Sequence, residues 1–338
     1  MILRKNQDLF NLVKALAGVN QFTSNEVTSL VNFTNRRLTT AYNTSQMWTR
    51  YVIGSEKRKI IALTIENASG TGASDVNGDY YLLGTQKSGG SSVAKVGSNI
   101  YSKTTSADDG SRIDGTAIYE KFDSNNQWVI DDDAAIDRGS DGSFNIQNAG
   151  TTRYAEETHS GHASAPYEVV IWTASNNATG SPTIFQKQAI PYEENNRNTI
   201  NEFIRIHRNK AFINDSSTEY DFFVDANGAN ILNNSTTDNV AYVTYKKHII
   251  DTSTGTIITS LDINGSSNLQ QIPLEFFNYT AHSVFADFLR LDGQTDKAFA
   301  EEQIAQNFLT EELEKVDIIN NRNSLNQKFS TYINTSSR

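Results

Sequence analysis

Cysteine is absent from this 338-residue chain. That excludes disulfides, thiolate-bound zinc and a cysteine nucleophile, and with them the small secreted scaffold that depends on cross-links. Long apolar runs are missing as well, and none approaches the roughly 18 residues of a membrane-spanning helix. Basic residues are in deficit, 29 Lys and Arg against 39 Asp and Glu, for a net charge of −10. A general DNA-binding surface needs a basic footprint to neutralise phosphates, so this balance argues against one. An acidic surface still suits a wall past which DNA must slide without sticking. Catalytic signatures are lacking too: there is no Gly-rich phosphate loop, HExxH or GxSxG, and no carboxylate pair stands out among so many acids. The sequence gives no positive sign of an enzyme and calls for no cofactor.

What is present begins with MILRKNQDLFNLVKALAGVNQF. A charge and a short apolar run invite a signal-peptide reading, but Asp8, Asn11 and Lys14 interrupt the run at helical spacing, which marks an amphipathic helix instead. Leu9, Val13, Leu16 and Ala17 form its apolar face. Thr23 and Glu26 have the spacing of a capping box and open a second helix to about Thr44, with Val27, Leu30, Val31, Thr34, Leu38, Ala41 and Tyr42 as its stripe. Met47, Trp48, Tyr51 and Val52 then lead into extended chain, and the apolar run of residues 59–65 reads as a strand.

From Asn67 to about Thr183 the composition turns to Ser, Gly, Asp and Asn, with short alternating apolar clusters at 80–83, 113–122, 128–130, 144–146 and 167–172. Turn signals such as Asn77-Gly78, Asp109-Gly110, Asp114-Gly115 and Asp141-Gly142 separate them, the pattern of antiparallel hairpins. Residues 68–190 hold eight Lys or Arg against fifteen Asp or Glu, so seven of the ten surplus acids lie here. Strand patterns resume at 199–206, 221–228 and 240–245, with a further one at 257–263.

Near the C-terminus, residues 273–320 predict two helices joined by a tight turn. Phe277, Ala281, Val284, Phe285 and Phe288 line one face of the first, and Asp292-Gly293 ends it. Ala298, Ala305, Phe308, Leu309, Val316 and Ile319 form the stripe of the second. Neither face is buried by the pair alone, so the N-terminal helices are expected to complete the core. The fold class that follows is α+β: a helical bundle formed by N- and C-terminal helices plus a small sheet, with a large inserted all-β domain. The expected division is 1–67 with 190–320 as the core, 68–189 as the insert folding as an independent module, and 321–338 as a tail. The tail is polar and carries Arg322, Lys328 and Arg338 with no acid, so left alone it is expected to be largely disordered. Yet Leu325, Phe329, Tyr332 and Ile333 would share one face of a helix. That stripe, with Lys328 and Arg338, reads as a docking segment for a partner, the alternative being a stripe that folds back onto its own bundle.

Other signals weigh less. His159 and His162 lie three apart, but Ser, Gly and Ala around them mark a loop rather than a metal site. Asp131, Asp132, Asp133, Asp137 and Asp141 lack the alternating order of a calcium loop and read as a solvated acidic turn. Trp48 and Trp172 are expected in cores. Arg36 and Arg37 either meet a neighbouring subunit or cover their own helix.

Three separated pieces resemble the head-to-tail adaptor proteins of tailed bacteriophages, the neck, head-completion or tubular-protein-A-like family. They are LVNFTNRRLTTAYNTSQMWTRYVIGSEKRKI at 30–60, VAYVTYKK at 240–247, and FFNYTAHSVFADFLRLDGQTDKAFAEEQIAQNFLTEELEKVD with its Arg-Leu-Asp-Gly-Gln turn. The resemblance implies a structural virion protein of the neck between capsid and tail, made in the host cytoplasm. It implies a closed ring of about a dozen copies, a portal protein on one side, a tail tube or nozzle protein on the other, and DNA passing through the channel without sequence-specific binding. In that setting Arg36 and Arg37 would be inter-subunit residues, the tail segment would meet the portal, and Glu301, Glu302, Glu311, Glu312 and Glu314 would be candidates for the channel wall, the alternative for them being an ordinary solvated helix face. Residues 68–190 depart from the family pattern, and their richness in Asn, Ser, Thr and Tyr supports a rival reading as a carbohydrate-binding or adhesin-like virion surface protein.

Overall fold

The computed structural model describes residues 3–70, 73–87, 94–103, 113–121, 127–138, 144–148, 153–157, 163–169, 171–174, 181–194, 197–210, 218–232, 238–248 and 271–336. In chain order these begin with β1 (Leu3–Lys5), α1 (Asn6–Ala17), α2 (Ser24–Asn43), β2 (Val52–Lys59), β3 (Ile61–Glu66), α3 (Ala73–Val76) and β4 (Gly78–Thr85). Next come β5 (Asn99–Ser102), β6 (Ile113–Glu120), β7 (Trp128–Arg138), β8 (Phe144–Asn148), β9 (Arg153–Glu157), a single 3-10 turn (Pro166–Glu168), β10 (Trp172–Ala174) and β11 (Thr183–Pro191). The chain closes with β12 (Ile200–His207), β13 (Phe222–Asp225), β14 (Gly228–Ile231), β15 (Val240–Lys247), β16 (Gln271–Pro273), α4 (Leu274–Leu291) and α5 (Thr295–Ser336). It separates into two compact units, one of Met1–Ile53, Asn198–Ile204 and Tyr245–Arg338, the other of Gly54–Arg197 and Arg205–Thr244. β2, β12 and β15 pair in the order β12–β15–β2.

The first unit is mainly helical. Leu9 and Val13 of α1, Leu30 and Leu38 of α2, Phe276 and Val284 of α4, and Ala305 and Leu309 of α5 share one buried cluster. The capping box forms: the Thr23 N–H donates to Glu26 Oε2 at 2.6 Å, and the Glu26 N–H donates to Thr23 Oγ1 at 3.4 Å. Between α4 and α5, Gly293 takes φ +76°, and the Gly293 and Gln294 N–H groups donate to the Arg290 and Leu289 carbonyls. Those bonds satisfy the carbonyls that a helix end leaves open. Trp48 is buried as expected; its indole N–H donates to the Ala41 carbonyl at 3.1 Å and its ring meets Phe276 edge-on. Beside it, Lys246 is buried, donates to the Tyr42 carbonyl at 2.7 Å and lies 3.7 Å from the centre of the Tyr42 ring.

The second unit is built on an 11-stranded sheet in the order β10-β9-β7-β6-β5-β4-β3-β11-β14-β13, with β8 also on β7. Its ladders run antiparallel. Alternate residues of a strand point to opposite faces, and the middle of this sheet is buried on both. Ile118 and Ile130 join Leu63, Tyr80, Trp128 and Trp172 on one face, while Ala117, Tyr119 and Val129 join Ile100, Phe144 and Ile146 on the other.

Several expectations change. The sheet does not stop at 68 and 189: β3 and the β13–β14 hairpin belong to it, so those limits would cut the β3–β4 and β11–β14 ladders. A short strand, β1, precedes α1 and pairs with β16. Of the aspartates expected in an acidic turn, Asp131, Asp132, Asp133 and Asp137 stand instead in β7, where Asp131 is fully buried and accepts from the Tyr119 hydroxyl at 2.8 Å, while Asp141 lies outside the described residues. A buried carboxylate persists only with such a partner. Ile319, expected in the α5 stripe, is exposed, because an 18-residue α4 flanks less than half of the 42-residue α5. The helix also runs unbroken to Ser336, where disorder was expected. The strand read at 257–263 and the histidines 159 and 162 lie outside the described residues.

Gly228 ends the β13–β14 turn at φ +140°, and a Cβ there would stand 2.1 Å from the Ile190 carbonyl oxygen. Gly228→Ala should therefore cost more than about 2 kcal/mol in urea unfolding. Gly18→Ala, also at positive φ but with nothing within 4 Å, should cost only about 1 kcal/mol.

Candidate assembly surface of the helical unit

Three helices of the first unit bring charged side chains to one place. α2 supplies Arg36 and Arg37, α4 supplies Asp287 and Arg290, and α5 supplies Glu302. Arg37 makes two forked contacts. Its Nε and Nη2 donate to the two Asp287 oxygens at 2.8 and 2.7 Å, and its Nη1 and Nη2 donate to the two Glu302 oxygens at 2.8 and 2.7 Å. Arg36 adds a bond to Asp287 Oδ2 at 2.7 Å, and Arg290 reaches Asp287 Oδ1 and Glu302 Oε2 at 2.9 and 3.1 Å. Such bidentate guanidinium–carboxylate pairs are the strong, directional form of the ion pair.

The local order follows from helix geometry. Asp287 and Arg290 are three residues apart and share a face of α4. Asp287 itself is 5% exposed. Burial alone would push its carboxyl pKa up, but the hydrogen bonds and charges of Arg37 and Arg36 outweigh that and hold it below the usual range. Glu302 follows the same logic: burial raises, Arg37 lowers, and the balance is downward. The Arg37 guanidinium is pushed up, first by its bonds to Asp287. Nearby, the His282 Nδ1 lies 2.8 Å from Glu301 Oε2, and the imidazole stacks on Phe308. Arg50 pairs with Glu275 at 2.7 Å.

These contacts reassign several residues named from the sequence. Arg37, 13% exposed, is committed inside its own unit. Arg36 shares Asp287 but keeps 61% of its side chain in solvent, so it alone of the pair still presents a surface. Among the five channel-wall acids, Glu301 and Glu302 are tied to His282 and to Arg37, and Glu312 pairs with Lys315 at 2.5 Å. Glu311 and Glu314 are exposed. Leu325, Lys328, Phe329, Tyr332 and Ile333 fall on the far part of α5, whose backbone is helical; their side chains, like Arg338 altogether, lie outside the description. No group of three or more His, Asp or Glu suited to a metal ion occurs among the described residues.

Sequence reasoning missed Asp287, Arg290 and Phe299. The pairs of Arg36 and Arg37 with Asp287 join residues some 250 positions apart, so no local motif announces them. Phe299 is 64% exposed on α5 and Leu291 61% exposed at the end of α4. No helix of the described chain is long and apolar enough to cross a membrane. No protein-family model, curated protein or solved structure matches this chain.

Removing one partner of a buried pair leaves a stranded charge, so Asp287→Asn should cost about 3 kcal/mol near pH 7. Because Asp287 and Glu302 titrate below their unfolded values of about 3.9 and 4.3, their contribution is complete above those values and lost as pH falls through the folded ones. Unfolding free energies measured from pH 7 to 2.5 should show the gap between the parent and Asp287→Asn closing in acid. A constant gap would mean that the ion cluster contributes no pH-dependent stability.

Proposed function

We infer that the chain is a structural virion protein, a head-to-tail adaptor subunit that assembles as a ring between portal and tail and lines the DNA channel. The observation that carries this reading is the shared core of the helical unit, in which helices from both ends of the sequence pack on one another around α4. A helical body closed by its termini, with a large β excursion between them, is the arrangement that the adaptor resemblance implies. It makes a symmetric assembly economical, because the helices that fold together can offer their outer faces to neighbouring copies.

The length of α5 gives further support. At 1.5 Å per residue its 42 residues span about 63 Å, more than twice the reach of α4. The far part holds the Leu325, Phe329, Tyr332 and Ile333 stripe together with Lys328, basic in an otherwise acidic chain. This segment would dock on the portal, and Arg36 would meet a neighbouring subunit. Glu311 and Glu314, with the net charge of −10, would keep the channel from holding phosphates.

Electron microscopy and sedimentation of the purified protein, alone and with portal, test the assembly. Rings are the expected outcome, and a strict monomer in both conditions would sink the adaptor reading. Truncation after Asn323 should leave thermal unfolding unchanged and abolish portal binding. A large loss of stability with portal binding retained would assign the stripe to the protein's own core instead.

A further inference from the structure

The β unit holds a cleft of about 130 Å³ that the adaptor reading does not use. At about 30 Å³ per molecule it has space for roughly four waters. It opens on the sheet face that carries Leu63 and Tyr101, where the segment 164–167 crosses over β11. The side chains of Asn99, Tyr101, Tyr167, Gln186, Gln188 and Asp238 line it.

The strand register explains why polar groups gather at this point. β11 sets two residues, Lys187 and Gln188, against the single Ala62 of β3, where the pairing passes from Gln186↔Leu63 to Ala189↔Ile61. β3 in turn skips Ala62 against β4, and β4 skips Leu83 against β5. Three irregularities in three consecutive ladders bend the strands and re-aim side chains. They bring Gln186 and Gln188 of one strand to the same recess as Asn99 and Tyr101 of another.

The lining selects a ligand class. Among the described residues it contains no Lys or Arg, so it offers no cation to hold a phosphate or carboxylate. A single carboxylate, whose Oδ2 already accepts from the Arg208 guanidinium and the Tyr220 hydroxyl at 2.8 and 2.6 Å, does not make a cation site. The three amides exclude a purely apolar guest, since each must keep hydrogen bonds when water leaves. An amide offers both donors and an acceptor, which suits vicinal hydroxyls that each donate and accept. Tyrosine rings suit an amphipathic partner, with an apolar face beside a polar tip. Tyr101 is 6% exposed, and its phenol pKa is pushed up by burial, with the Asn99 side chain opposing.

We propose that this cleft binds a neutral saccharide, one pyranose ring whose hydroxyls meet Asn99, Gln186, Gln188 and Asp238 while its C–H face lies on Tyr167. The inference stands apart from the adaptor reading, because every lining residue belongs to the β unit.

Saturation-transfer NMR on the full chain tests it, with glucose, galactose, mannose, N-acetylglucosamine and adenosine as millimolar probes. At least one sugar should receive saturation at its ring C–H protons, and adenosine should not. Gln188→Ala should weaken that sugar about tenfold, the loss of one good hydrogen bond. Gln186→Ala should act the same way, and since Gln186 is solvent-exposed, its replacement leaves packing untouched. The proposal is overturned if no sugar is saturated, if adenosine binds in its place, or if Gln186→Ala folds and binds the sugar as tightly as the parent. Each result is read without portal and so is separable from ring assembly.

Discussion

Helix α4 is enclosed by its neighbours, and one consequence governs the helical unit. Eleven of its 18 residues are buried, among them Thr280, Ser283 and Asp287. The hydroxyls satisfy themselves on their own helix: Thr280 donates to the Phe276 carbonyl and Ser283 to that of Thr280. A carboxylate has no such local remedy. Asp287 must be met by cations from another element, and Arg36 and Arg37 of α2 are what meet it. Those two arginines therefore fix how α2 crosses α4, and Glu302 extends the same constraint to α5. Apolar packing would tolerate some sliding of these helices; a forked guanidinium bonded to two carboxylates does not.

The β unit answers a similar demand differently. Its central strands are buried on both faces, so their polar groups must be paired inside the sheet. Asp131 takes the Tyr119 hydroxyl, and Glu120 pairs with Lys95. Glu157 accepts from the Trp128 and Ala163 N–H groups at 3.1 and 3.0 Å. Toward β3 and β11 the apolar contacts of Leu63, Ile65 and Ile184 give way to a recess lined by amides and tyrosines. The same sheet thus holds a sealed middle and a polar opening, with register shifts in the ladders of both.

Much of the helical unit was legible in the residues alone. The capping box at Thr23 and Glu26, the stripes of α2 and α4 and the Asp292-Gly293 turn depend on neighbours within one or two helical turns, and such signals survive in sequence. Trp48 and Trp172 read as core because large rings seldom stay in water. The acidic run at 131–133 misled for a related reason. Its polarity is visible locally, but the tyrosine hydroxyl that allows Asp131 into a buried strand lies twelve residues away on the paired strand.

The sequence by itself determined the limits of α2 and α4, the start of α5 and most of the faces these helices bury, that an all-β segment separates them, and that the chain is acidic without disulfides. Tertiary structure alone decided the partners. Arg37 is an internal clamp rather than a free surface cation because Asp287 and Glu302, about 250 residues onward, arrive beside it. Ile319 is exposed because α4 stops short of it, and the cleft brings together residues of β3, β5 and β11 with Tyr167 and Asp238. Each of these depends on which distant segments come into contact. Local periodicity carries no information about that, since the same stripe or charge pair is compatible with many neighbours.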